Sequence, residues 1–232
     1  MKITMIHGQN HKGSTYHVSR LLAEKLGAAD EITEFFLPGD LNHFCVGCYA
    51  CIEADEACPF YTEKKVILDA VEMADLLIFT TPNYCLMPSA PMKAFIDLTY
   101  TYWMSHRPRA YMFHKKAAVI STTAGAGAGQ AIKGITRTLF YWGVPYIKSY
   151  GISVQAMNWQ GVSEKKRAKI NKDISALAKK ISRVKKTRVG IKTRFIFWMM
   201  SNMQKAGWSS SPTETEYWRA NGWLDKKRPW NQ

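Results

Sequence analysis

A five-stranded parallel α/β sandwich with a helical extension at its C-terminal end is the fold class this sequence predicts. Three observations carry that prediction. Short apolar runs recur at 2–6, 31–37, 75–81, 116–122 and 150–155, with helical patterns between them, the alternation expected of strands joined by crossover helices. The runs are mostly apolar rather than strictly alternating, as in strands covered on both faces. Finally, 232 residues suit one such domain with an appendage, or two small domains, and a chain of that length buries roughly 70–75 % of its unfolded surface without covalent staples.

Taken in order, "KITMI" (2–6) leads through "HGQNHKGST" (7–15) into a helix over 15–26, where Val18, Leu21, Leu22 and Leu26 share one face. "EITEFFL" (31–37) is the second strand, and a cysteine-rich stretch separates it from a helix over 63–74. "DLLIFTT" (75–81) precedes the loop "PNYCLMPSA" (82–90) and a helix over 91–103 that opens on Pro91. "KAAVIST" (116–122) precedes "TAGAGAGQ" (123–130) and a helix over 129–142. "YGISVQ" (150–155) is the last strand. The basic helix after it presents Ile170, Ile174, Leu177, Ala178, Ile181 and Val184 as an amphipathic series. The sheet domain is expected to span 1–187, and a basic, aromatic-rich extension 188–232.

In open parallel sheets a ligand sits beyond the carboxyl ends of the strands. Three loops there are longer than the usual 2–6 or so residues. In the first, Gly8, Gly13 and the pair Ser14–Thr15 stand just before a helix, whose N-terminus is a seat for a phosphate. The glycine spacing matches neither the dinucleotide nor the P-loop fingerprint, so a mononucleotide phosphate is the better fit; simple N-capping by either hydroxyl is the alternative. In the second, Asn83, Tyr84, Cys85, Leu86 and Met87 offer a surface for a planar heterocycle, or merely amphipathic packing. In the third, Gly125, Gly127 and Gly129 let backbone approach a ligand edge closely, unless they form only a flexible linker.

Four of five cysteines follow the spacing Cys45-x₂-Cys48-x₂-Cys51-x₆-Cys58-Pro59. The first three repeat the start of a ferredoxin run, whereas zinc sites separate two short pairs by a dozen or more residues. The chain starts with an apolar run too short for a signal core, and no stretch reaches the length of a membrane span. A cytoplasmic location is therefore expected, where thiols stay reduced and a disulfide is disfavoured. The six histidines are scattered without metal-ligand spacing.

Net charge is +14, of which residues 164–194 alone carry +11. Such concentration attracts phosphate-bearing ligands, anionic membranes or acidic partners; a solvated helix face is the plainer reading. Residues 195–200, six consecutive apolar positions, are too many for a freely solvated helix. The segment 191–208 is expected to be buried, against a second copy in a homodimer or over the ligand site, ahead of a membrane surface. The aromatics of the tail lack the basic–aromatic interleaving of a single-strand binder, so nucleic acid is not expected.

The blocks "GQNHKGST", "ADLLIFTTPNYCLMPSAPMKAFIDL" (74–98) and "STTAGAG" (121–127) resemble the NADPH-dependent FMN reductase family of flavodoxin-like proteins, including its iron–sulfur flavoprotein branch. The similarity runs from Met1 to about Gln155, with Lys93, Ala94, Phe95 and Asp97 holding the family's helix motif. The resemblance implies a flavodoxin-like three-layer sandwich and FMN, with its phosphate near Gln9, His11, Ser14, Thr15 and Tyr16. It implies the ring against Pro82, Asn83, Tyr84, Cys85 and Leu86, with its far edge near Thr123, Ala124, Gly125 and Gly127. Gln9 and His11 stand where the family usually has Ser and Arg, and Leu98 where it has Arg.

The resemblance further implies electron transfer from NADH or NADPH to an acceptor that the sequence does not identify, with no protein residue expected as catalytic acid or base. The alternative is a flavin-bound interaction or electron-relay module with a 4Fe–4S cluster on Cys45, Cys48, Cys51 and Cys58. Clusterless members carry similar loops, and the inserted acids of "IEADEA" add negative charge beside anionic thiolates. A metal-free thiol loop is therefore expected ahead of a cluster, and both ahead of a disulfide.

Overall fold

The computed structural model describes residues 1–209 and 211–232. Its centre is one parallel sheet of five strands: β1 (Ile3–His7), β2 (Ile32–Phe36), β3 (Leu76–Pro82), β4 (Lys116–Thr123) and β5 (Tyr146–Ser153), in the order β2-β1-β3-β4-β5. The register runs Ile3 beside Ile32 and Leu76, Leu76 beside Lys116, and Lys116 beside Tyr146.

The alternation of side chains across a strand sorts the core into two layers. Ile3, Met5, Leu76, Ile78, Ala118 and Ile120 face α1 (Ser14–Glu24) and α6 (Glu164–Arg183), meeting Val18 and Leu22 of the first and Ile170, Ile174 and Ile181 of the second. Leu77, Phe79, Ala117 and Val119 face the opposite way. They pack on Ile67 and Val71 of α3 (Tyr61–Met73), Met92 and Phe95 of α4 (Ala90–Leu98), and Ile135 and Leu139 of α5 (Ala128–Tyr141). β3 is buried at all seven positions, which is why its first four residues, Leu76 to Phe79, read as an unbroken apolar run. This is the expected flavodoxin-like three-layer sandwich.

Two expected boundaries move. The last strand begins at Tyr146, four residues before the predicted start, because it is an edge strand whose first half is only half-buried and carries the polar Lys148 and Ser149. The helix expected over 91–103 ends at Leu98, where the Thr99 hydroxyl takes up the carbonyls of Phe95 and Ile96, both at 3.0 Å, and a short 3₁₀ turn follows.

The extension is helical but not separate. α7 (Ile191–Lys205) and α8 (Pro212–Ala220) close a third core in which Phe197, Trp218 and Trp223 are fully buried with Met104 and Phe113. That core leans on Phe140 and Tyr141, so α7 lies beside the amino-terminal ends of β4 and β5, away from the three loops. The segment 191–208 therefore does not cover the predicted ligand site. Among the described residues no helix is long and apolar enough to cross a membrane.

Candidate functional site

The chain leaves β1 toward β2 on one side and returns to β3 on the other. The loops after β1 and β3 thus diverge and open a crevice at the carboxyl edge. The loop after β4 closes its far end.

At the first loop, the Gly8 N–H donates to the Thr80 carbonyl at 2.7 Å and the Ser89 hydroxyl to the Gly8 carbonyl. A Cβ on Gly8 would meet Met92 Cβ and the Thr80 carbonyl oxygen at 3.0 Å, so this close approach of β1 to α4 requires glycine. Gln9 is buried and its amide donates to the His11 carbonyl at 3.3 Å. The His11 ring lies against Gly13, the N-cap of α1, which provides no side-chain cap. The first N–H bonded back along the helix is that of His17, to the Gly13 carbonyl at 3.2 Å. The N–H groups of Ser14, Thr15 and Tyr16 thus emerge unpaired at a positive helix end, the arrangement that takes an anion.

The two hydroxyls expected to act together do different things. Thr15 is buried and its Oγ1 hydrogen-bonds Thr122 Oγ1 of β4 at 2.6 Å, so its side chain ties helix to sheet and only its N–H faces the crevice. Ser14 is half-buried. Tyr16 stands beside His7 and Phe36 under the Lys12 ammonium, and burial raises its phenol pKa. His7 is structural, between Thr80 Oγ1 at 3.0 Å and Glu34 Oε2 at 2.9 Å.

At the second loop, Tyr84 and Met87 exchange two backbone hydrogen bonds, 3.2 and 2.9 Å, around Cys85 (φ 50°) and Leu86 (φ 63°). Such a turn ordinarily carries Asn-Gly; here it holds two non-glycine residues in left-handed backbone at the mouth of the crevice, a form of strain typical of ligand loops. Pro82 is buried at the end of β3, whereas Tyr84, Cys85, Leu86 and Met87 are exposed. Asn83 connects this loop to the third: its N–H reaches the Thr122 carbonyl at 3.0 Å and its Nδ2 the Ala126 carbonyl at 2.8 Å. Its Oδ1 is buried without a partner, so a polar ligand has an acceptor to meet here.

At the third loop, Thr123 Oγ1 donates to Ala126 O at 3.1 Å and Ser153 Oγ to Ala124 O at 3.0 Å. Gly127 (φ 94°) opens α5, again without a side-chain cap, while Gly125 has open space around it. The three loops expected from the sequence do converge. A phosphate fits the uncapped α1 terminus, a flat ring fits Tyr84 to Leu86, and free backbone fits a ring edge at Gly125 and Gly127. FMN is thus compatible with the residues present.

The cysteine stretch forms a second feature. Cys45, Cys48, Cys51 and Cys58 line one cavity of about 390 Å³ with Tyr49, Phe60, Leu98 and Tyr100. All are free thiols; Cys51 and Cys58 are buried, Cys45 and Cys48 exposed. Burial pushes the Cys51 thiol pKa up, against an opposing pull from the Tyr100 hydroxyl. Among the described residues no three His, Cys, Asp or Glu converge as a ready metal site, so the loop as folded is not a preassembled cluster cradle.

Sequence reasoning missed the frame around this loop. Arg107 donates to the Cys51 carbonyl and to Asp55 at 2.8 Å, and Arg109 also pairs with Asp55. The carboxylate of Glu53, at the end of α2 (Ala50–Glu53), accepts from Ser211 at 2.8 Å and Thr213 at 2.6 Å. Nearby, Glu214 is buried between His106 and Ser209, both at 2.8 Å. No short-range pattern announces such contacts.

This chain is similar to known proteins. An iron–sulfur flavoprotein from Archaeoglobus fulgidus is 29% identical over 135 residues, 56% of this chain and 59% of that protein, so the chain matches about three fifths of that relative's length. Among solved structures, an NADH:FMN oxidoreductase in its apo form is 19% identical with a TM-score of 0.52, over 83% of this chain and 93% of its own. A Bacillus anthracis FMN-dependent NADH-azoreductase in complex with FMN is 13% identical with a TM-score of 0.57, over 77% and 100%. At those identities the two structures speak for the fold alone. Residues 1–158, which hold all five strands and all three loops, match a family as a unit, and by that match the chain belongs to the NADPH-dependent FMN reductase family.

Proposed function

We propose that this protein is an FMN-dependent NAD(P)H oxidoreductase that passes electrons from a reduced nicotinamide to an acceptor. The observation that carries this reading is the uncapped N-terminus of α1, set beside two loops that meet through Asn83, within the family-matching part of the chain. The N–H groups of Ser14, Thr15 and Tyr16 and the Ser14 hydroxyl would hold the phosphate. Tyr84 and Leu86 would wall the ring, and backbone of Gly125 and Gly127 would face its edge. Bound FMN supplies the hydride and electron chemistry. The chain's own work is to orient the ring, keep water from one side of it and present a face to the nicotinamide. No side chain is assigned a proton transfer. The test is anaerobic mixing of the FMN-loaded protein with NADH and with NADPH; bleaching of the flavin's visible band supports the reading, and no bleaching by either defeats it.

A second reading, an electron relay with a 4Fe–4S cluster, is favoured by one observation: the four cysteines share a single cavity. Cys45 and Cys48 line it as exposed thiols, Cys51 and Cys58 as buried ones. Anaerobic reconstitution with iron and sulfide decides the matter. Iron in the wild type that falls in Cys48→Ser supports the cluster, and equal near-zero iron in both leaves a flavin-only enzyme.

A further inference from the structure

α7 carries apolar side chains on both of its sides: Phe197, with Ile196 and Met200, packs on the third core, while others are left in water. Its buried stripe is Thr193, Phe197, Ser201 and Gln204, three of them polar. That side is the one its own chain holds: Ser201 Oγ donates to the Trp223 carbonyl at 2.8 Å, Gln204 Nε2 to the Ser105 carbonyl at 3.0 Å, and Thr215 Oγ1 to Gln204 Oε1 at 3.0 Å. Its solvent stripe, at positions i, i+4 and i+7, is Ile191, Phe195 and Trp198, which are 87%, 57% and 55% exposed. Trp208, just past the helix, is 74% exposed. Trp208 belongs to the other side, beside Gln204 and Ser105; the three large apolar side chains left in water on one stripe, with the Phe195 and Trp198 rings 5.9 Å apart, mark an interaction surface.

The surrounding charge says what kind. From Ile174 to Thr213 the chain carries nine Lys and Arg and no acid. Lys185, Lys186, Arg188, Lys192, Arg194 and Lys205 are exposed, and none forms an ion pair among the described residues. A second copy laid on this face would oppose cation to cation, so the expected homodimer through 191–208 meets repulsion. A nucleic acid would satisfy the cations but leave Ile191 and much of the stripe wet. An anionic bilayer satisfies both at once: apolar side chains enter the headgroup–acyl boundary while lysines and arginines reach lipid phosphates.

We propose that the outer face of α7, with the basic segment leading into it, is a docking surface for an anionic lipid bilayer. It is a peripheral contact and involves no spanning segment. The surface lies beside the amino-terminal ends of β4 and β5, so a docked molecule keeps the three-loop edge in the aqueous phase.

The experiment is co-sedimentation of the full-length, FMN-loaded protein with vesicles of phosphatidylcholine alone or mixed with phosphatidylserine. Three proteins are compared: wild type, Phe195→Glu/Trp198→Glu, and Lys185→Glu/Lys186→Glu. Wild type should bind only the phosphatidylserine vesicles and release in high salt. Both variants should bind at least about tenfold more weakly while keeping wild-type thermal stability and flavin content. Since the substituted side chains are exposed, folding is a control and not the readout. Wild type left in the supernatant with phosphatidylserine vesicles overturns the proposal, as does undiminished binding by Phe195→Glu/Trp198→Glu. So does a wild-type dimer that this variant converts to a monomer, or binding to a single-stranded oligonucleotide tighter than to vesicles.

Discussion

Replacing Gly127 by alanine tests the meeting of the second and third loops at a single atom. Gly127 sits at φ 94°, and a Cβ there would overlap Leu86 Cδ2 outright and stand 2.9 Å from Asn83 Nδ2. Holding alanine in left-handed backbone costs roughly 1–2 kcal/mol. The Leu86 tip is exposed and can swing aside, but Asn83 can retreat only by giving up its 2.8 Å bond to the Ala126 carbonyl, about 1 kcal/mol more. The sum is about 2–3 kcal/mol. Spread through the whole fold it would lower Tm by about 4–12 °C. The loops are surface segments, so the cheaper response is for them to part, and the loss then falls on FMN affinity, about 30- to 150-fold in Kd. The assay is quenching of flavin fluorescence on titration into apoprotein, paired with thermal unfolding. Gly125→Ala is the control, since its Cβ meets nothing within 4 Å. An unchanged Kd and Tm in Gly127→Ala would refute the contact between the loops. A full Tm loss at unchanged Kd would remove them from the flavin site.

Ser14→Ala should weaken FMN binding by about 1 kcal/mol, roughly fivefold, with little effect on unfolding, whereas Thr15→Val should lower stability by about 1–3 kcal/mol because Thr122 loses its partner; paired titrations and melts separate the two. Lys115 is buried, and desolvation lowers its pKa to about 8 although its ammonium donates to the Glu72 and Ala74 carbonyls. An unfolded lysine holds its proton up to about 10.4, so the unfolded state binds more protons above pH 8 and stability rises with pH there. Urea unfolding should show about 2 kcal/mol gained between about pH 7.5 and 9.5, absent in Lys115→Met; equal slopes would refute the assignment. Gly129→Ala, on an exposed turn of α5 with open space around it, should stabilise by about 0.5–1 kcal/mol in the same assay.

The sheet was legible because burial on both faces leaves a composition signal that a single sequence carries. β5 shows where that signal fades: an edge strand keeps one wet side, so only its apolar end reads as a strand. α8 went unread although its start was marked, Ser211 capping and Pro212 at the first helical position; its apolar residues are too few to show a period. The candidate loops were legible as composition, yet the division of labour between Ser14 and Thr15 was not. It depends on Thr122, 107 residues away. The face that α7 buries was hidden for a related reason: apolar residues run round the helix, and which side is covered depends on partners far along the chain, such as Ser105 and Trp223.

The grip of α8 on the cysteine loop bears on inheritance. Glu53 and Ser211 are 158 residues apart, and the extension, which lies beyond the family match of residues 1–158, fastens to the thiol-bearing loop rather than to the three-loop edge. Lost alone, the extension would strand Glu53 without its hydroxyl donors and His106 without the Glu214 carboxylate. Lost alone, the loop would leave Arg107 and Arg109 without Asp55. Two stretches far apart in the gene thus form one module, and relatives are expected to carry both or neither, a pattern that sequences of the family can contradict with a single chain that keeps Glu53 and Asp55 but ends near residue 190.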